Sequence, residues 1–228
     1  MAEPMLVLGI DTCGPSGSVA LGRVAGSLVE ILGQTELVGR SYSATLVAAV
    51  GDLLAKACVA LKDVDAMVAV HGPGSFTGVR VGLSAVKGLA EPAGIPVVAV
   101  SRLAVLASKC GCVASALDAH RGEVFLRLSE PDGKARELLA GLAELAAVAP
   151  PGQVAVCDEA AASLLATVWP QAAVLHVSAP TAADALRLAA PRILAGEFVD
   201  LALLDGHYLR RSDAEIFGKP AAAGTQRT

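Results

Sequence analysis

The sequence predicts an α/β protein of two lobes, and three observations carry that expectation. Its first forty residues read as a meander of short strands, after which helix and strand candidates alternate. A glycine- and proline-rich loop, His71-Gly72-Pro73-Gly74, joins a short apolar strand to a helix. The length of 228 residues buries roughly 70–75% of the unfolded surface by size scaling, as one large domain or two lobes of about 100 residues, without disulfide or metal staples. The chain is 54% hydrophobic but only 3% aromatic, so its core must be assembled from Ala, Val and Leu. Such an excess of small apolar residues favours an apolar face used in assembly.

Taken in order, MLVLGI (5–10) is an apolar strand ended by Asp11-Thr12, and Gly17 to Leu21 resumes a strand-compatible pattern before Gly22. A third strand is expected around Leu28, Val29, Ile31 and Leu32. Ser41 to Leu61 is a long helix with Ser41 or Ser43 as its cap. Leu46, Val50, Leu53, Ala57 and Leu61 form one apolar stripe on it, and Val47, Leu54 and Cys58 a second. A helix apolar nearly all round is buried on more than one side. Val68–Val70 is the next strand, and the helix that follows the loop starts near Thr77, with Ser75 and Thr77 available either to cap it or to frame an anion. Gly78, Gly82, Ala85 and Leu89 share one face of that helix. Interior glycines cost about 1 kcal/mol each relative to alanine, so the stripe implies a backbone packed very close, in this chain or another.

Ile95–Val100 reads as a strand, and Ser101 caps a helix over Leu103–Lys109. Beyond it come Val113–Leu117, the hairpin-like DAHRGEVFLRL with Asp118, Arg121 and Glu123 at its Gly122 turn, an Ala/Leu helix over Glu137–Val148 and a strand at Val154–Cys157. Thr181–Ala195 is an amphipathic helix interrupted at Pro191 that crosses back to the first lobe. The resulting division is a first lobe over 1–100, joined by the helix around 181–195, a second over 101–216 and a disordered tail over 217–228. A meander, a helix, then strand and helix again fits the actin-like or sugar-kinase-like (ASKHA) ATPase superfold. There the carboxylate ending the first strand lies beside nucleotide phosphates and metal, the place Asp11 takes here. A carboxylate at Asp118 would face it across the cleft, and such a pair can hold magnesium or do acid–base work. Turn-stabilising roles for both residues remain open.

Charge and residue usage narrow the function classes. A net charge of −4 and a single adjacent basic pair, Arg210-Arg211, argue against a dominant nucleic-acid surface. The longest uncharged run, Ala160–Ala183, holds Pro170, Gln171, His176 and Pro180 and reads as helix, break and strand rather than a membrane span. The N-terminus lacks a basic leader with an uncharged apolar stretch, so a cytoplasmic location is expected. Five cysteines without a disulfide-like spacing agree with a reducing compartment, and Cys110-Gly111-Cys112 has no second pair with which to build a zinc site. The four histidines are scattered singly, so no metal site and no catalytic residue are expected. There is no phosphate loop of the G-x-x-x-x-G-K-[ST] type.

PGSFTGVR (73–80) and the Gly/Ala-rich helix after it resemble the signature of the TsaB (YeaZ) family, proteins of threonylcarbamoyladenosine synthesis on transfer RNA. LVLGIDTCGPSGSVALG (6–22), VAVSRLAVLA (98–107), ALDAHRGEVF (116–125) and YLRRSDAE (208–215) resemble the same family in the same order. The resemblance implies a non-catalytic subunit that pairs with a TsaD-like transferase, works with a TsaE-like ATPase, forms a homodimer in isolation and meets transfer RNA only through the complex. It supports modification of the adenosine next to the anticodon of transfer RNAs reading ANN codons. TsaD, the metal-binding paralogue, presents two histidines on the helix that corresponds to 41–61; here the stretch reads RSYSATLVAAV. Catalytic members of the superfold carry a glycine-rich adenosine loop where this chain has CDEAAASLL. ATP and magnesium are therefore expected only at an interface shared with a partner, and Asp11 and Asp118 are the candidate contacts. The expected docking residues are Leu46, Val50, Leu53, Leu54, Gly78, Gly82, Ala85 and Leu89. The alternative is an enzyme, either a small-molecule kinase or ATPase using Asp11 and Asp118, or a metallopeptidase.

Overall fold

A computed structural model describes residues 3–39, 41–130 and 134–210. Sheet one contains β1 (Met5–Asp11), β2 (Ser16–Ala25), β3 (Leu28–Val38), β4 (Ala66–Val70) and β5 (Val97–Val100), in the order β3-β2-β1-β4-β5. The first three form an antiparallel meander, while β4 and β5 add in parallel to β1. Sheet two repeats the plan with β6 (Ala114–Asp118), β7 (Val124–Ser129), β8 (Ala135–Ala140), β9 (Gln153–Val156) and β10 (Ala173–His176), in the order β8-β7-β6-β9-β10. Again a meander is extended by two parallel strands. Two mixed five-stranded sheets of one topology, each with its own helices, make the two-lobed α/β architecture of the expected superfold.

The helices are α1 (Tyr42–Lys56), α2 (Phe76–Ala93), α3 (Arg102–Ser108), α4 (Leu142–Ala146), α5 (Glu159–Val168) and α6 (Ala182–Leu194). Helices α1 and α2 lie side by side on one face of sheet one, and α6 covers the other. Ser75, Ser101, Asp158 and Thr181 each cap the helix that follows by accepting from a first-turn backbone N–H, an arrangement worth about 1 kcal/mol apiece. Sheet one, α1, α2 and α6 share the largest apolar cluster. Sheet two packs with α5 around Trp169, whose indole N–H donates to the carbonyl of Leu145 at 3.0 Å. A third, smaller cluster of Leu103, Leu106, Leu117, Ala119, Phe125 and Ala155 fills the junction between α3 and sheet two. No helix among the described residues is long and apolar enough to cross a membrane.

Three elements differ from expectation. Residues 137–140 form the end of β8 rather than the start of a helix, since pairing with β7 from Ser129↔Ala135 to Val124↔Ala140 overrides the helix preference of Glu137, Leu138 and Leu139. Gly141 then begins a short α4, its N–H accepted by Glu144. Helix α1 ends at Lys56, five residues short of Leu61, because Cys58 takes a left-handed conformation at φ 55°. Helix α6 continues past Pro191 to Leu194; the proline lies in its last turn. The expected tail over 217–228 falls outside the described residues.

Candidate functional site

The parallel strands β1, β4 and β5 end at the same side of sheet one, where β1 delivers Asp11-Thr12-Cys13, β4 delivers His71 and the Gly-Pro loop, and β5 delivers Ser101-Arg102. The β1–β2 loop is pressed against the start of α2. The Thr12 hydroxyl donates to the carbonyl of Gly78 at 2.7 Å, and the Ser75 N–H donates to the carbonyl of Cys13 at 2.8 Å. Tyr42 from α1 closes the loop by donating its hydroxyl to the carbonyl of Gly14 at 2.8 Å. The chain itself therefore occupies the mouth of α2: the Ser75 hydroxyl takes the Gly78 N–H and a carbonyl takes the Ser75 N–H. Of the two roles open to Ser75, capping is the one the geometry realises.

Asp11 is buried, with 1% of its side chain exposed. One carboxylate oxygen accepts the Cys13 N–H at 2.8 Å and the other faces Nε of Arg102 at 3.5 Å. That oxygen and Arg102 Nε are the buried side-chain polar atoms without a hydrogen-bond partner among the described residues. Burial alone would lower the Arg102 guanidinium, but its interactions with Asp11, Cys13 and Cys157, that with Asp11 the largest, together outweigh it and hold the arginine above its ordinary value. The guanidinium lies over the β1–β2 loop so closely that a Cβ on Gly14 would stand 2.3 Å from it. A phosphate or magnesium ion beside Asp11 would have to displace this internal cation.

Asp118 is engaged elsewhere. Its carboxylate takes the His120 N–H at 2.8 Å and the His120 ring at 2.8 Å, and its own N–H donates to Asp158. Asp158 also caps α5 at the position expected for an adenosine loop. Glu123 of the same turn pairs with Arg210. Asp11 and Asp118 thus have separate partners, Arg102 and His120. Among the described residues no group of three or more His, Cys, Asp or Glu could hold a metal ion.

Sequence reasoning missed the charged cluster that ties the lobes together. Glu137 on β8, 6% exposed, accepts from Ser101 at 2.7 Å, from Arg127 at 2.7 Å and contacts Nε2 of His207 at 2.8 Å. Burial pushes its carboxyl up, but the hydrogen bonds from His207, Ser101 and Arg127 outweigh that and hold it below its ordinary value. The His207 ring stacks on His71 at 5.4 Å between centroids. Burial, followed by the charge of His207, depresses His71. Arg102 had a sequence signal, being an arginine that follows a capping serine inside an apolar run. Glu137 and His207, seventy positions apart, had none.

The expected docking residues mostly face inward, which corrects the reading of both helices. Leu46, Val50, Leu53 and Leu54 belong to the core beneath α1, and Gly78 and Gly82 are buried beneath α2. A Cβ on Gly78 would stand 2.1 Å from the carbonyl oxygen of Thr12, and one on Gly82 would stand 2.2 Å from the Thr12 hydroxyl. The close backbone approach that the stripe implies is thus the protein's own β1–β2 loop. Ala85 and Leu89 are half-buried at its margin. Two other helical glycines face outward: a Cβ on Gly51 or on Gly88 would meet nothing within 4 Å. Ala44, Val47, Ala48 and Ala55 surround Gly51, and Val81, Ser84, Ala85 and Pro92 surround Gly88 at the same offsets.

The sequence model of the family described as "TsaD: tRNA N6-adenosine threonylcarbamoyltransferase" matches residues 34–164. The solved structure of YeaZ from Pseudomonas aeruginosa superposes with a TM-score of 0.68 at 30% identity, covering 90% of this chain and 100% of that one. The chain belongs to the TsaB/YeaZ family. The tRNA threonylcarbamoyladenosine biosynthesis protein TsaB of Escherichia coli is 36% identical over 127 residues, 53% of each chain, and that of Bacillus subtilis is 34% identical over 128 residues, 54% of this chain and 55% of the relative. These alignments span about half the length of the curated relatives. The tRNA N6-adenosine threonylcarbamoyltransferase of a Ruegeria species is 31% identical over 121 residues, 46% of this chain and 33% of that protein.

Proposed function

We propose that this protein is a non-catalytic assembly subunit of threonylcarbamoyladenosine synthesis, docking on a TsaD-like transferase through the outward faces of α1 and α2. It supports threonylcarbamoyl transfer to the adenosine next to the anticodon of transfer RNAs reading ANN codons. The observation that carries the docking surface is the pair Gly51 and Gly88. Each costs its helix about 1 kcal/mol relative to alanine, and neither has a neighbour in its own chain that needs the space. Set among alanines, valines and a serine, they allow another helix pair to approach to backbone distance. The relatedness to both TsaB and TsaD proteins supports a paralogue as the occupant, built on a similar pair of helices. Without that paralogue the same face pairs with a second copy of this chain. The Asp11–Arg102 pair supports a reading in which this chain holds no nucleotide of its own, so that ATP and magnesium enter only at the shared interface. A TsaE-like ATPase and transfer RNA join through the complex, in keeping with the acidic net charge of −4.

Co-expression with the TsaD-like paralogue tests this. Ala48→Arg and Ser84→Arg place charges on the outward faces without touching the core. Each is expected to abolish co-purification and lower threonylcarbamoyladenosine in bulk transfer RNA, while the isolated variant melts at the wild-type temperature. Assembly of normal affinity in both variants would refute the docking surface. Wild-type levels of the modified nucleoside in cells lacking the gene would refute the function.

A further inference from the structure

The turn that ends α3 brings two thiols together. Gly111, exposed and left-handed at φ 66°, folds the chain back so that Cys110 and Cys112 both donate their backbone N–H to the carbonyl of Ala107, at 3.4 and 3.1 Å. Their sulfurs lie 2.8 Å apart, the one sulfur–sulfur contact among the described residues. Both side chains are half-buried against the junction cluster, with an edge open to solvent. The remaining cysteines differ: Cys13 is buried with its thiol on the carbonyl of Val70, Cys58 is exposed, and Cys157 rests against the same junction cluster.

We propose that Cys110-Gly111-Cys112 is a thiol–disulfide exchange site whose substrate is a low-molecular-weight disulfide. One cysteine, as its thiolate, attacks the small disulfide, forming a mixed disulfide and releasing one small thiol. The second cysteine loses its proton and attacks the protein sulfur of that intermediate, closing the intramolecular disulfide and releasing the other small thiol. The two protein thiols are oxidised by two electrons and the small disulfide is reduced to two thiols, so no further oxidant is needed. Two residues separated by one left-handed glycine satisfy the Cα spacing of about 4.4–6.8 Å that a disulfide requires. Lys109 is held by Asp184 at 2.6 Å, so its charge is already paired and exchange must accelerate with pH as thiolate forms. Burial, the hydrogen bond to Cys110 and the charge of Cys110 push the Cys112 thiol up to about 11. A transient dithiol of this kind is compatible with a reducing compartment, where structural disulfides do not persist.

The test uses the whole chain, reduced and then equilibrated with glutathione and glutathione disulfide. After acid quenching, alkylation and trypsin, Cys110 and Cys112 fall on one peptide running to Arg121 that contains no other cysteine. That peptide is expected to lose both alkylations and two hydrogens in excess glutathione disulfide, and to recover both alkylations with dithiothreitol. The folded chain should favour the closed form at least about tenfold over the chain in urea, since folding holds the sulfurs in contact. Cys112→Ser should instead accumulate a glutathione adduct on Cys110. Full alkylation of both cysteines in excess glutathione disulfide would overturn the proposal, as would linkage to Cys157 or a closed form no more favoured in the folded chain than in urea.

Discussion

Replacing Gly82 and Gly88 by alanine, one at a time, separates the inward face of α2 from its outward face. At Gly82 the new methyl would stand 2.2 Å from the Thr12 hydroxyl, which donates to the Gly78 carbonyl at 2.7 Å in a buried setting. Displacing that hydroxyl forfeits a hydrogen bond worth about 1 kcal/mol and leaves its acceptor unpaired. Overpacking against the β1–β2 loop adds about 1–3 kcal/mol, while the better helix propensity of alanine returns about 1 kcal/mol. The net effect is a destabilisation of about 1–3 kcal/mol, which for a chain of this size lowers Tm by roughly 2–12 °C. At Gly88 only the propensity gain remains, so the isolated chain should gain about 0.5–1 kcal/mol and melt slightly higher. Its association with the TsaD-like partner should weaken, because the methyl fills space that the partner's helix needs. Thermal and urea unfolding measure the first pair of effects, and titration with the partner measures the last. A Gly82→Ala variant as stable as wild type would refute the packing account of Thr12, and an unaltered affinity in Gly88→Ala would refute the role assigned to the outward glycine.

Asp11→Asn should destabilise the fold by about 3 kcal/mol, read from the urea midpoint, because it leaves the buried Arg102 charge uncompensated; Asp118→Asn, with an exposed partner in His120, should change stability by less than about 0.5 kcal/mol. Stability should fall as pH drops below the ordinary histidine value of 6.5, since the unfolded chain protonates His71 while the folded chain, with that ring depressed, resists; His71→Gln should flatten this part of the profile. The Glu137 contribution has the same sign at lower pH, present above the carboxyl's ordinary value of 4.5 and lost as pH falls through its depressed folded value. Elemental analysis of the purified chain should find zinc and iron only far below stoichiometry, and one metal per chain would revive the metallopeptidase alternative.

Local chemistry was legible wherever a few adjacent residues decide it. Ser75, Ser101 and Thr181 marked the helix starts they cap, and MLVLGI and AVHGPGSFT marked strand ends at a loop. ARELLA was not legible, because its helix-forming residues are overruled by β7, a neighbour no local window contains. The same limit governed the two kinds of glycine. Gly82 and Gly88 are both helix-interior glycines with small neighbours, and only the position of Thr12, seventy residues earlier in the chain, tells them apart. Asp11 was singled out correctly as the residue ending β1, but its partner Arg102 lies ninety-one positions away. A carboxylate's charge partner depends on tertiary placement, so the sequence left both the ligand-binding and the structural role open.

Helix α6 is made long after the sheet it covers. It caps the face of sheet one where a Cβ on Gly9 or Gly22 would touch Leu186, and it is anchored there by the Ala182 N–H on the Ser18 hydroxyl at 2.8 Å and by Arg192 on the carbonyl of Ala99 at 2.7 Å. During synthesis the last strand of that sheet emerges roughly eighty residues ahead of α6, a lag of about 4–16 s at ~5–20 residues per second. For that interval the nascent sheet has one apolar face bare, and the second lobe must be translated before the first can close. A ribosome stalled near residue 170 would therefore hold a first lobe accessible to chaperones and proteases, and release of the remaining chain would make it resistant.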